Sequence, residues 1–110
     1  MKTALLGAVA ALASLCLSPT YADQPLRFEH VMSIGGEGTG AGQFKYVEDL
    51  AFTRDGKLLV TDAVHAWVQV FDPATGKYLA RFGGKGEDDA NLDKPEGIAV
   101  APDGSVFVAD

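Results

Sequence analysis

Residues 48–62 read EDLAFTRDGKLLVTD, and residues 96–110 read EGIAVAPDGSVFVAD. Each stretch runs from an acid through a short apolar segment, an Asp-Gly turn and a second apolar segment to a closing Asp. Two apolar runs joined by Asp-Gly are the signature of a β-hairpin, because Gly supplies the positive φ that a tight turn requires. The match extends outward. Gly35-Gly36-Glu37-Gly38 returns as Gly83-Gly84-Lys85-Gly86 at the same offset. The period is about 48 residues, within the range of propeller repeats. A unit of this kind cannot bury its apolar faces alone and needs neighbours of the same kind. The second copy breaks off at Asp110, so the chain is expected to be the first part of a longer protein.

Between the copies the pattern stays β. Leu58 to Asp62 is the return strand, Trp67-Val68-Gln69-Val70-Phe71 a third and Lys77 to Phe82 a fourth, with Asp72-Pro73-Ala74-Thr75-Gly76 as the turn between the last two. No helical period appears after the first residues, and the strands are short and evenly spaced. Four strands joined in a meander and repeated radially make a propeller blade. Leu58 and Val60 alternate with Leu59, and Trp67 and Phe71 with Val68 and Val70, so both faces are apolar. That suits a sheet sandwiched between sheets. Phe44 and Leu92 hold matching places before the first strand of each copy and are expected to plug the gaps between blades. Residues 27–34, with a strand from Phe28 to Ile34, align with the fourth strand of the next copy and are expected to be the outer strand of a closing blade. The expected fold is thus all-β: about one and a half blades of four antiparallel strands plus one leading outer strand. The first full repeat is 35–82 and the start of the second 83–110.

The N-terminus reads as an address. Met1-Lys2-Thr3 carries one positive charge, Ala4 to Leu17 is an apolar run, Ser18-Pro19 breaks it and Thr20-Tyr21-Ala22 offers a small-residue site. That is the layout of a helical Sec-type signal peptide over 1–22, cut after Ala22, in a bacterial style. The run is shorter than the roughly 20 apolar residues of a membrane span. A lipoprotein would need Cys16 to become the first residue, and the bulky Leu15 before it disfavours this. The mature chain, 23–110, is expected in the periplasm or outside the cell. Cys16 is the only cysteine and leaves with the signal, so stability must come from packing. The formal net charge is −6, which argues against nucleic acid and anionic membrane as partners.

Taken together, Gly40-Ala41-Gly42-Gln43-Phe44, Glu48 to Phe52, Asp55-Gly56, Leu58 to Asp62, Val68 to Asp72, Gly76 to Leu79 and Phe82-Gly83 resemble one NHL repeat. Leu92, Pro95 to Val100, Asp103-Gly104 and Val106 to Asp110 resemble the start of the next. The resemblance covers nearly all of the mature chain. It implies a β-propeller, commonly six-bladed, that acts mostly as a binding scaffold. Two positions depart from the pattern. Val47 stands where the repeat has Pro, and His65-Ala66-Trp67 replaces an Asn followed by Arg.

Strand direction alternates in a meander, so the start of the first strand and the end of the second share an edge. This puts Glu48 near Asp62 and Glu96 near Asp110, toward one rim. Converging carboxylates could hold a divalent cation, although Asp at a strand end is also an ordinary turn former. Glu48 also resembles the metal-binding Glu that opens the inner strand in gluconolactonase-type propellers. His65 lies in the rim loop, where it could serve as zinc ligand, base or solvated side chain. Trp67 could stack a ligand or pack between blades, and the apolar alternation around it favours packing. Glu87-Asp88-Asp89 reads as a solvated acidic loop without EF-hand spacing.

No Gly-x-Ser-x-Gly, His-Glu-x-x-His or P-loop pattern occurs, and the glycine clusters open no helix that could cradle a dinucleotide. No cofactor is expected of this chain by itself; calcium or zinc would belong to the full-length protein. The expected function is a secreted or periplasmic scaffold that binds a protein or small molecule on its rim. The alternatives are a gluconolactonase-like metal-dependent hydrolase and an NHL-type peptidyl-hydroxyglycine lyase, both with active sites completed by further blades.

Overall fold

A computed structural model describes residues 25–110. The expected signal-peptide helix and the cleavage point after Ala22 lie outside the described residues. The chain divides into two units, one ending at Val31 and the other spanning Met32–Asp110. No strand forms between residues 25 and 36. The strand expected over Phe28 to Ile34 is therefore not present. An outer strand needs an inner neighbour to supply its ladder, and among the described residues no strand takes that place.

In the second unit six strands follow in order: β1 Val47–Phe52, β2 Leu58–Asp62, β3 Trp67–Asp72, β4 Lys77–Gly83, β5 Gly97–Val100 and β6 Val106–Ala109. The first four make one antiparallel sheet in the order β1-β2-β3-β4, and β5 pairs with β6 in a second. This is a complete four-stranded meander followed by the first hairpin of the next. The copies share their turn chemistry. Gly56 N donates to Thr53 O and Gly104 N to Ala101 O, each at 2.9 Å. Gly56 and Gly104 have φ of 84° and 92°, a region costly for any side chain.

Registry assigns the faces. Leu59 lies opposite Val70, and Thr61 opposite Val68. Leu59, Val68 and Ile98 form the core, with Ala51, Val70, Leu92, Val100 and Val108 packed against it. One face of the four-stranded sheet is therefore closed by β5–β6, and Leu92 packs in the gap between the two sheets. Thr61 and Asp49 fasten this junction: Ile98 N donates to Asp49 Oδ2 at 3.0 Å, and Asp49 N to Thr61 Oγ1 at 2.9 Å. At the turns, Arg54 Nη1 donates to Pro102 O at 3.0 Å.

The opposite face is covered differently. Buried Gln69 accepts from Gly42 N at 2.9 Å and donates to Gln43 O at 2.6 Å. Phe44 packs against Phe71 with ring centroids 5.6 Å apart. The glycine-rich loop thus lids the outer half of that face, satisfying a buried amide at both ends. Leu50 and Phe52 on β1 remain 54% and 58% exposed. Their counterparts one repeat later, Ile98 and Val100, sit in the junction. Leu59, in the core, has its own counterpart in Phe107, which is 63% exposed.

Position, not residue type, should then set the mutational cost in this chain. Leu59→Ala is expected to destabilise it by about 2–5 kcal/mol, and Phe107→Ala by less than about 1 kcal/mol. Denaturant unfolding of the two variants beside the wild type measures the difference.

Candidate functional site at the rim

The rim is the edge where β1 begins, β2 ends and β3 begins. Val47 pairs with Asp62, and Asp62 with Trp67. The Asp62 side chain is fully buried. Its Oδ2 accepts from Lys45 N at 2.8 Å and Oδ1 from Tyr46 N at 3.1 Å. Oδ1 also accepts from Val64 N and His65 N, each at 3.2 Å. His65 Nδ1 lies 2.7 Å from Oδ2. Burial is the largest single influence on this carboxyl and pushes its pKa up. The Lys45 amide, the His65 ring, and the His65 and Tyr46 amides pull it down, and together they prevail, so it lies below the usual carboxylate value.

Asp110 repeats part of this arrangement. It accepts from Asp93 N at 2.9 Å and from Lys94 N at 2.7 Å, the counterparts of Lys45 and Tyr46. Both aspartates thus tie the approach to a first strand to the end of a second. Glu48 and Glu96 stay exposed at the rim. Glu96 forms an ion pair with Lys94. That hydrogen bond, then the charge of Glu96 and more weakly that of Glu48, raises the Lys94 pKa.

Among the described residues no three His, Cys, Asp or Glu side chains gather in a way that could hold a metal ion. The chemistry of the donors accords with this. Asp62 already accepts five hydrogen bonds, and Glu96 pairs with Lys94.

The rim loop gathers other groups. The His65 ring lies 4.4 Å from the Trp67 ring, tilted by 31°. Arg81 Cζ sits 4.1 Å from the centre of the same indole. Trp67 thus lies between His65 and Arg81 of its own sheet, and Arg81 brings a guanidinium from β4 to the neighbourhood where the repeat pattern has Arg. Trp67 Nε1 is a buried donor without a hydrogen-bond partner. Ala66, fully buried, takes φ 59° and accepts from Gly84 N at 2.6 Å. A non-glycine residue in that region stores strain, held here by the loop that follows β4.

A cleft of about 460 Å³ opens at this rim, lined by Tyr46, Glu48, Ala63, Val64, Lys85, Asp93 and Lys94. Of the expected site residues only Glu48 lines it. Tyr46, Lys85 and Lys94 were not foreseeable, because repeat spacing locates strands while the loops that meet at a junction differ between copies.

No family model matches the chain. Over 74 residues it is 39% identical to a Caenorhabditis elegans protein named "Probable peptidyl-alpha-hydroxyglycine alpha-amidating lyase pgal-1". The match takes in 64% of this chain and 21% of that protein. The chain therefore spans about a fifth of the relative's length. The relative carries the name of the lyase class that the NHL-type resemblance brought forward as an alternative.

Because the Asp62 pKa is lowered in the folded chain, its contribution to stability is fully present above the ordinary carboxylate pKa and is lost as pH falls through the lowered value. Asp62→Asn is expected to lower Tm at neutral pH and to flatten its decline between about pH 5 and about pH 2. Thermal melts of both proteins across that range test this. An equally steep acid decline in the variant would contradict it.

Proposed function

We propose that this chain supplies rim and scaffold to an NHL-type propeller that acts as a lyase on peptides ending in α-hydroxyglycine. The observation that carries the reading is the identity to the named lyase, taken with the four-stranded meander and its second hairpin. The reaction such a name describes is cleavage of the Cα–N bond of the terminal hydroxyglycine. It leaves a peptide amide and glyoxylate. A substrate of this kind presents a terminal carboxylate and a hydroxyl beside it. The inter-blade cleft offers Lys85 and Lys94 ammonium groups, the Tyr46 phenol and the apolar side of Val64 to such an end group. In this reading the protein is exported by a cleaved signal and acts in the periplasm or outside the cell, and the remaining ligands and reacting groups come from further blades.

The cleft also favours a second reading, a rim that binds a peptide end without turning it over. The two separate on one assay. Full-length protein incubated with a synthetic peptide ending in α-hydroxyglycine is expected to release glyoxylate and peptide amide in equal amounts, above the uncatalysed rate. Saturable peptide binding without glyoxylate release would establish the binding rim and overturn the lyase.

A further inference from the structure

We infer that Asp62 and His65 form a carboxylate–imidazole pair that presents His65 Nε2 at the rim as the proton-accepting group for the substrate hydroxyl. The inference rests on the lyase reading above and adds a residue to it. Its basis is the tautomer that the geometry imposes. The Asp62 carboxylate is ionised, fully buried and can only accept. His65 Nδ1, 2.7 Å from Oδ2, must therefore carry the proton. In the neutral ring Nε2 is then a lone-pair acceptor. A carboxylate that fixes one ring nitrogen so that the other faces its task is the common way to orient a catalytic or ligating imidazole.

The ring is also fixed in plane. Its own backbone amide bonds Asp62 Oδ1 at 3.2 Å, its face lies on Trp67, and Trp67 is backed by Arg81. The His65 side chain retains 15% exposure. Among the described residues no hydrogen bond engages Nε2. Ala63 and Val64, the residues between Asp62 and His65, form part of the cleft wall. Arg81 lies across the indole from the pair, and Glu48 and Lys94 line the cleft that Ala63 and Val64 border.

The step balances without an oxidant or a further reactant. Nε2 takes the hydroxyl proton, and the O–H electron pair becomes the new C=O bond of glyoxylate. The C–N pair passes to the amide nitrogen, which receives the proton that Nε2 had taken. In this scheme Asp62 is a positioning residue and His65 a catalytic one.

His65→Asn in the full-length protein is the test, because the Asn amide can still donate to Asp62 while the basic nitrogen is gone. With a peptide ending in α-hydroxyglycine, kcat is expected to fall about 100- to 10,000-fold with Tm and KM little changed. Turnover within about threefold of wild type would overturn the assignment while leaving the lyase standing. No turnover by the wild type would overturn both. A readout independent of activity and of the variant's folding is the ¹⁵N chemical shift of the wild-type His65 ring. A proton on Nδ1 with Nε2 bare is expected, and the opposite tautomer would overturn the pair.

Discussion

One buried carboxylate organises the rim. Asp62 lies where three segments meet: the approach to β1, the end of β2 and the turn into β3. Four backbone amides and one imidazole converge on its two oxygens. Without it those partly buried amides would lose their shared acceptor, and a hydrogen bond to a charged group contributes about 1.5–3 kcal/mol. With it, strand pairing, loop path and ring orientation are set by the same atoms. The Lys45 and Tyr46 amides reappear one period later as Asp93 and Lys94 on Asp110, so the device belongs to the repeat and not to one loop.

Much of this was legible in the residues. The Asp-Gly turns, the apolar runs between them and the constant offset locate β1 to β6 to within about two residues, because a hairpin's turn chemistry and its alternation agree. The plugging role of Leu92 could be read for the same reason. The strand read over Phe28 to Ile34 could not be trusted to pattern alone. Its side chains suit a sheet, but a strand is a relation between two segments, and the segment lacks its ladder. Gln69 was also invisible as a fastening. In the sequence it is a polar residue in an apolar strand; in the fold it is the one group that can bond both a glycine amide and the carbonyl beside it.

The rim shows why counting acids at strand ends misleads. Strand direction brings Val47 opposite Asp62 and Glu96 N onto Ala109 O. What spacing does not reveal is how each oxygen is spent. Both aspartates are committed to backbone amides, and Glu96 to Lys94. Of the rim residues singled out in the sequence, His65 is the one that Asp62 holds, with Nδ1 2.7 Å from Oδ2. Its setting comes from Asp62, Trp67 and Arg81, three residues that no linear motif joins.

The exposures of Leu50 and Phe107 carry a consequence for how such a molecule can change length. Every module has an unlike front and back, the Ile98-type side and the Leu59-type side, and the contact seen once inside this chain uses one of each. An in-frame gain or loss of a whole period presents the same two surfaces to whatever follows. A gain or loss inside a strand turns its side chains to the other face and shifts the closing aspartate off its amides. Whole periods preserve both surfaces, and length changes in the exposed loops leave them untouched.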